Sequence, residues 1–348
     1  MEISADQTAR ASNFEARIQL LADLVNAELS VFLAAEAPLE NLHDGLRYSL
    51  GLDQADPAAR GKRIRPAMAI MVCETLGGNR EDILPFALAI ELMHNFALVH
   101  DDIEDGDATR HNRPAVWRKF GLPHAINIGD YFLCQVYRAL TENRNSTLDV
   151  ATRMRLIELM TQVLLHTHRG QALDMNARAK TDFSRDDYLE LVMEKTGYYL
   201  AAPLVGGAIA AGADHGVLDA LEQYGRHLGP LFQIKDDLID LTEGKGRGER
   251  GADIREGKRS FLVAEALASC ADDERRRLIE MLDKPREETT VEDIVWTTAL
   301  FERTGAIEHA QDYCESLHEQ CRQAAKTCPP DLRDLLIDAA DYLVQRRK

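Results

Sequence analysis

Two short stretches of the sequence carry the spacing D-D-x-x-D, and each follows an apolar run. In ALVHDDIED the outer aspartates are Asp101 and Asp105, and in FQIKDDLID they are Asp236 and Asp240. Residues four apart share one face of a helix, so each stretch places like charges side by side. Carboxylate oxygens suit Mg²⁺, which combines a few carboxylates with water and phosphate oxygens. Each stretch is therefore a candidate magnesium site.

The presence of two such stretches, about half the chain apart, predicts metal chemistry on a diphosphate. One acidic run alone is usually a solvated helix face, but two that each follow an apolar lead-in are hard to place in water. Helices facing each other across a bundle would hold several Mg²⁺ ions around one diphosphate, and the metals would neutralise it as a C–O bond breaks. Calcium binding is disfavoured because neither stretch has the central glycine of an EF-hand loop.

Three basic segments could bind the phosphate oxygens of such a substrate. The cations are Lys62, Arg63 and Arg65 in GKRIRP, then Arg110, Arg113, Arg118 and Lys119, and finally Lys245, Arg247, Arg250 and Lys258. Guanidinium groups bind phosphate oxygens in pairs, and lysine adds a point charge. The third segment, 243–257, is rich in glycine, which disfavours a helix and predicts a mobile loop that closes over an anion. Either of the first two segments, taken alone, could equally be a solvated basic loop.

Helices, which the apolar periodicity of the sequence predicts, would position these residues. Apolar side chains recur on one helix face at Ile18, Leu21 and Val25, for example, whereas strand-like alternation is scarce. The chain has 348 residues, of which 45% are hydrophobic and 6% aromatic, enough to bury a large helical core. The sequence predicts an all-α protein of about ten or more helices, folded as a single domain over residues 1–348.

The charge balance limits the class of protein. Asp and Glu number 58 against 41 Lys and Arg, a net charge of −17 that disfavours nucleic-acid binding. The N-terminus lacks the apolar core of a signal peptide, and no apolar run reaches about 18 residues, the length of a membrane span. The six cysteines include no C-x-x-C pair, as expected for reduced thiols. We therefore expect a cytoplasmic protein without a membrane span.

Taken in order, the motifs resemble the trans-polyprenyl diphosphate synthase family. The resemblance covers about residues 45–270 and rests on GKRIRP, HNFALVHDDIED, AINIGD (125–130), GQALD (170–174), EKTG (194–197), FQIKDDLID and GADIREGK (251–258). It implies an isoprenoid-synthase helical bundle around a central active-site cavity, usually as a homodimer. It also implies that Mg²⁺ and basic side chains draw charge from an allylic diphosphate, that isopentenyl diphosphate attacks the resulting cation, and that a proton is then lost.

Carried over residue by residue, the resemblance assigns roles to matching positions. Two Mg²⁺ ions would bind Asp101 and Asp105, a third would bind Asp236, and the residues that orient ligands would be Asp102 and Asp240. Isopentenyl diphosphate would be held by Lys62, Arg65 and His94, and the allylic diphosphate by Arg110, Lys195 and Lys258. The oxygens near the developing allylic cation would come from Thr196 and Gln233.

The sequence departs from the family pattern at three places. His111 stands where a second arginine is usual; it can still donate to a phosphate, and Arg113 is another candidate for that contact. Gly248 stands where a lysine is often found, and Trp117 stands where many members have histidine. The first departure places the affinity for isopentenyl diphosphate in question rather than the reaction itself.

Bulk before the first aspartate motif predicts the product's length. Phe96 lies five positions before Asp101, and the small Ala97 lies beside it. One aromatic at this level resembles synthases of twenty-carbon geranylgeranyl diphosphate; farnesyl diphosphate is the second choice, and Phe96 would block longer products.

A class I terpene cyclase is disfavoured because GKRIRP and His94 offer a second diphosphate site. A non-catalytic partner subunit is disfavoured because both aspartate motifs are present.

Overall fold

The structure, a computed structural model, describes residues 5–55, 60–142, 146–242 and 250–345. Within these ranges the chain is helical apart from one short hairpin and the connecting loops, which confirms the all-α class. The first elements are α1 (Ala5–Ala34), α2 (Leu42–Ser49), α3 (Ile64–Thr75), α4 (Arg80–Glu104), β1 (Thr109–Arg110), β2 (Arg113–Pro114), α5 (Val116–Phe120), α6 (Leu122–Thr141) and α7 (Val150–Ala177).

The remaining elements include two short non-α turns. They are α8 (Arg185–Val192), a π-helical turn (Met193–Gly197), α9 (Tyr198–Ala210), α10 (His215–Thr242), α11 (Ala252–Arg255), α12 (Phe261–Ser269), α13 (Asp272–Leu282), a 3₁₀ turn (Arg286–Glu288), α14 (Val291–Arg303), α15 (Ala306–Ala325) and α16 (Pro330–Gln345). The predicted basic loop over 243–257 lies in part, at 243–249, outside the described residues.

The chain divides into two compact units, each assembled from three separate stretches. The first unit takes the residues up to Thr161 together with Ala202–Asp219 and Cys328–Asp338. The second takes Gln162–Ala201, Ala220–Thr327 and the residues from Ala339 onward. A single domain over residues 1–348 stays a prediction.

Helix α4 forms the core of the first unit. It packs against α3 and α6, and its inward side chains Phe86, Ile90 and Met93 are at most 1% exposed. The helix begins after Asn79, whose side chain accepts the N–H of Glu81 at 3.3 Å. It ends before Gly106, which adopts a left-handed backbone with φ of 68°. These two boundaries place the first aspartate motif in the last turn of a well-packed helix.

The length and apolar composition of α4 also meet the requirements for a membrane span. Among the described residues it is the one helix that does so, and 67% of its apolar window is buried inside the protein. Such burial is typical of the core helix of a globular fold.

In the second unit, α12 packs against α8, α14 and α15. The Phe261 ring, which is fully buried, lies 5.5 Å from the Tyr188 ring and 5.4 Å from the Tyr313 ring between centroids. Aromatic packing of this kind fixes helix positions beyond what apolar burial alone provides. Tyr188 is thereby held where its hydroxyl can reach the second aspartate motif.

Candidate active site

The first aspartate motif lies at the C-terminal end of α4. Asp101 and Asp105 are half-buried, and the Asp105 N–H donates to the Asp101 carbonyl oxygen at 2.8 Å. Within the described part of the chain, no hydrogen bond or ion pair holds the Asp101 carboxylate. An accessible carboxylate that no protein cation neutralises is a suitable ligand for a hard metal ion.

Asp102, in contrast, belongs to the interior of the first unit. Its side chain is 2% exposed, and its Oδ1 accepts hydrogen bonds from Nε of Arg110 at 2.8 Å and from Nη2 of the same group. The buried Asp107 carboxylate lies 3.7 Å from the Arg110 guanidinium. Two buried carboxylates therefore fix Arg110, and the orienting role that the resemblance implies for Asp102 stays a prediction.

His111 and Asn112 form the turn between β1 and β2. Both are exposed and have left-handed backbones, with φ of 51° and 58°, as a type I′ turn requires. Histidine and asparagine adopt this conformation more readily than most residues do. The turn geometry thus gives a physical reason for histidine at this position, directly beside Arg110.

The guanidinium of Arg113, the other candidate for a second phosphate contact, is paired with residues before GKRIRP. Its guanidinium pairs with the Asp53 carboxylate at 3.1 and 2.5 Å and lies 3.8 Å from the centre of the Tyr48 ring. These contacts join the hairpin to the segment that leads into GKRIRP. Arg113 is therefore held by Asp53 and Tyr48, whereas His111 lies next to Arg110 in the exposed turn.

Trp117 has a clear structural role. Its indole Nε1–H donates to the carbonyl oxygen of Asp107 at 2.7 Å, which ties α5 to the loop after the first aspartate motif. A histidine N–H can make the same kind of hydrogen bond. The replacement of the usual histidine by Trp117 therefore preserves a donor.

The three cations of GKRIRP have different environments. Lys62 is exposed and Arg65 is half-buried in the first turn of α3, whereas Arg63 is only 6% exposed. The Arg63 guanidinium pairs with Glu91 at 2.5 Å and donates to Asn26 at 3.0 Å and to the Leu50 carbonyl oxygen. The sequence grouped Arg63 with the phosphate-binding cations; the structure instead makes it an interior anchor.

His94 lies half-buried on α4, close to the cations of two other segments. Removal of water from the imidazole lowers its pKa well below 6.5, and the positive charges of Arg65, Arg63, Arg110 and His111 lower the pKa further. The fold thus brings GKRIRP, His94 and the hairpin into one region of the first unit. A neutral imidazole in that region offers one donor and one acceptor without adding charge.

Because His94 stays neutral in the folded protein, we expect the free energy of unfolding to depend on pH. The unfolded chain takes up a proton near pH 6.5 and the folded protein does not, so acidification below that pH favours unfolding. His94 should account for a loss of about 1 kcal/mol in the free energy of unfolding between about pH 7.5 and about pH 5.5. Denaturant titrations of the wild type and of His94→Gln at both pH values measure this acid-induced loss. An equal acid-induced loss in both proteins would contradict a depressed pKa.

In the second unit, the GQALD and EKTG motifs meet. A Cβ atom built on Gly170 would lie 2.1 Å from the backbone nitrogen of Lys195, so only glycine permits this approach. The Lys195 Nζ donates to the Asp174 carboxylate at 2.6 Å. Lys195 also lies in the π-helical turn, an irregularity frequent at functional sites. Asp174, the last residue of GQALD, is 9% exposed and positions Lys195.

Thr196 and Gln233 belong to a hydrogen-bonded chain within the same unit. Thr196 Oγ1 donates to Gln233 Oε1 at 3.4 Å, and Gln233 Nε2 donates to Asp237 at 3.2 Å. The buried Asp237 also accepts from the Tyr188 hydroxyl at 2.8 Å and from the Phe261 N–H at 3.3 Å. Burial, reinforced by the charge of Asp237, raises the pKa of Tyr188, which keeps this donor protonated.

The second aspartate motif resembles the first in its leading pair of aspartates but differs at its last aspartate, which is buried. Asp236 is half-buried, whereas Asp237 is 5% exposed and holds the scaffold. Asp240 is 1% exposed and accepts the backbone N–H of Asp253 at 3.1 Å. The sequence did not identify Asp237 or Tyr188 as site residues; the pattern of one accessible and one buried aspartate appears only in the folded chain.

Lys258 lies against two carboxylates of the segment before it. Its Nζ is 2.6 Å from Glu256 and 3.6 Å from Asp253, and the Arg286 guanidinium is 3.6 Å from Glu256. Glu256 is buried, so its charge requires neighbouring cations. Arg286 gives Glu256 a second cation in addition to Lys258, and neither Glu256 nor Arg286 was indicated by the sequence.

No three His, Cys, Asp or Glu side chains in the described ranges converge into a complete metal site. Mg²⁺ does not need such a cage, because it keeps waters and takes phosphate oxygens from a substrate. Two accessible carboxylates on one helix end, as at Asp101 and Asp105, fit this mode of binding.

Comparisons with known proteins identify similar sequences and similar folds. The polyprenyl synthetase family matches residues 55–298. The geranylgeranyl diphosphate synthase of Methanosarcina mazei is 32% identical over 92% of this chain and 94% of its own length. The crystal structure of geranylgeranyl pyrophosphate synthetase from Pyrococcus horikoshii aligns with a TM-score of 0.85 and 28% identity over 96% of this chain and 99% of that one.

A further solved structure contains ligands. It is geranylgeranyl pyrophosphate synthase from Corynebacterium glutamicum complexed with isoprenyl diphosphate and magnesium, with a TM-score of 0.82 and 27% identity over 94% of this chain and 98% of that one. Members of the matched family use isopentenyl and allylic diphosphates and are generally magnesium-dependent. The resemblance read from the motifs is thereby confirmed, and this chain belongs to the polyprenyl synthetase family of prenyltransferases.

Proposed function

We propose that this prenyltransferase makes geranylgeranyl diphosphate by adding isopentenyl diphosphate to shorter allylic diphosphates. The observation that carries the chain length is Phe96, an α4 side chain that is only 5% exposed and lies five residues before Asp101. A fixed aromatic ring at this level would stop a growing hydrocarbon tail. The names of the similar proteins from Methanosarcina mazei and Pyrococcus horikoshii support the same product.

The proposal includes three Mg²⁺ ions, two held by Asp101 and Asp105 and one by Asp236. Bound Mg²⁺ would supply the positive charge that neutralises the diphosphate as its C–O bond breaks. The accessible carboxylates fit that role, and the magnesium in the Corynebacterium glutamicum structure supports it. The protein is further proposed to be a homodimer and to be located in the cytoplasm.

Substrate binding is assigned to side chains that the fold already positions. In the first unit, Lys62, Arg65 and neutral His94 would hold isopentenyl diphosphate, and Arg110 would donate to the allylic diphosphate with the help of His111. In the second unit, the allylic diphosphate contacts would come from Lys195 and Lys258. Such preset donors lower the reorganisation needed as charge develops.

The bond-forming step needs polar oxygens rather than a protein nucleophile. The isopentenyl double bond attacks the allylic carbon as diphosphate leaves, and one proton is lost from the adduct. Thr196 Oγ1 and Gln233 Oε1, held together at 3.4 Å, would face the positive charge on the allylic fragment. The released diphosphate is the proposed acceptor of the proton.

A product assay tests the proposal. Purified protein is incubated with Mg²⁺, labelled isopentenyl diphosphate and each allylic starter in turn, and chromatography measures product length. The wild type should give mainly a twenty-carbon product, and Phe96→Ala should give longer ones because the stop is removed. Phe86→Ala, which removes the same atoms from the core face of α4, should lower stability without changing product length. A fifteen-carbon wild-type product, or an unchanged product from Phe96→Ala, would refute the assignment.

A further inference from the structure

The AINIGD motif contacts the end of α4 through one residue, Gly129 on α6. A Cβ atom built on Gly129 would lie 2.1 Å from Nε2 and 2.2 Å from Cδ2 of His100. Those ring atoms therefore occupy the space that any other residue at 129 would fill. The next residue, Asp130, places its Oδ1 at 3.5 Å from the same Nε2.

The His100 imidazole also lies against Phe96. The two ring centroids are 4.9 Å apart, with the planes tilted by 46°. Phe96 and His100 are four residues apart, so they share one face of α4. The order of contact is thus Gly129, His100 and Phe96, all within the first unit.

We propose that Gly129 is a positioning residue for product length: it seats the His100 imidazole, and His100 in turn holds the Phe96 ring in place. This rests on the proposed role of Phe96. The side chain of Phe96 has torsional freedom on its own, and a ring packed against it selects one rotamer. The glycine of AINIGD, for which the motif itself suggests no chemistry, thereby acquires a role in specificity.

Gly129→Ala should change the product distribution without disrupting the helix. The methyl group meets the far end of a histidine side chain rather than backbone, so the imidazole moves and its contact with Phe96 changes. A ring contact of this kind corresponds to about a two- to tenfold change in the ratio of other products to the twenty-carbon product. Chromatography of the products measures this ratio, which a merely structural loss of stability would not alter.

Gly45→Ala provides the matched control. A Cβ at Gly45 would lie 2.2 Å from Cδ1 of Ile128, the residue before Gly129, so the variant crowds α6 equally without touching His100. It should lower thermal stability about as much as Gly129→Ala and leave the product ratio unchanged. An equal change in product ratio from Gly45→Ala would overturn the inference.

The double variant tests whether Gly129 acts through His100. His100→Ala should raise the share of longer products, because Phe96 loses its support. Gly129→Ala combined with His100→Ala should match His100→Ala alone, since no imidazole is left to displace. An additive product change in the double variant, or an unchanged product ratio in Gly129→Ala, would overturn the inference. If Phe96→Ala lengthens the product while Gly129→Ala and His100→Ala leave it unchanged, only the inference fails. If Phe96→Ala is also without effect, the proposed function fails with it.

Discussion

Asp101→Ala should reduce the rate of isopentenyl condensation by about a thousandfold or more, because loss of a metal ligand removes several kcal/mol of transition-state stabilisation. The fold should survive, since no hydrogen bond or ion pair in the described ranges depends on the Asp101 carboxylate. Removal of the repulsion between residues 101 and 105 should even stabilise α4 slightly. The measurements are kcat at saturating substrates and Mg²⁺, together with the melting temperature.

Asp102→Ala is the matched comparison one residue away. Asp102 is buried and pairs with Arg110, so its loss leaves a guanidinium without its main partner and should lower the melting temperature clearly. Chelation of Mg²⁺ in the wild type should reproduce the Asp101→Ala defect in rate with little effect on folding. A condensation rate for Asp101→Ala within about tenfold of the wild type would exclude Asp101 as an essential metal ligand.

The all-α fold and the motif-bearing helices could be predicted from the sequence, because apolar periodicity and helix signals are local. The boundaries of α4 show this: Asn79 and Gly106 provide the start and stop signals that a sequence can carry. The family assignment could also be predicted, since it depends on the order of motifs rather than on contacts.

The burial and contacts of the individual aspartates could not be predicted, because the two motifs have the same spacing but different surroundings. Helix α4 ends at Glu104, which leaves Asp105 at the helix terminus, whereas α10 continues to Thr242 and keeps Asp240 inside the helix. The segment after residue 250 then covers Asp240, and its carboxylate accepts the N–H of Asp253. That contact spans 13 positions and leaves no local signature in either motif.

The GKRIRP motif shows the same limit for cations. Arg63 and Arg65 are two residues apart and chemically identical, yet only Arg63 enters the interior. Two of its hydrogen-bond partners, Glu91 and Asn26, lie 28 and 37 positions away on other helices. A property of one residue type in one motif thus depends on tertiary partners that no spacing rule encodes.

Arg63→Ala should therefore lower the free energy of unfolding rather than impair substrate binding. The variant leaves the buried Glu91 carboxylate without its cation and removes the bonds to Asn26 and Leu50, which corresponds to a loss of about 3–5 kcal/mol in the free energy of unfolding. Arg63→Lys retains the charge but not the planar fork of donors, so its loss should be intermediate. Denaturant unfolding measures all three proteins.

Arg65→Ala is the control within the same motif. Arg65 is half-buried, and its charge acts on His94, so its loss should raise the KM for isopentenyl diphosphate and change stability little. Combining Arg63→Met with Glu91→Leu should cost less stability than Arg63→Ala alone, because no buried charge is left unpaired. If Arg63→Ala instead retained its stability and raised the KM as Arg65→Ala does, Arg63 would belong with the phosphate-binding cations after all. Lower stability in Arg63→Ala together with a raised KM in Arg65→Ala would show that one motif supplies both a structural anchor and a substrate contact, two positions apart. Arg63 precedes α3 with a left-handed backbone, φ of 48°, whereas Arg65 lies in the first turn of the helix, so the two residues differ in backbone conformation.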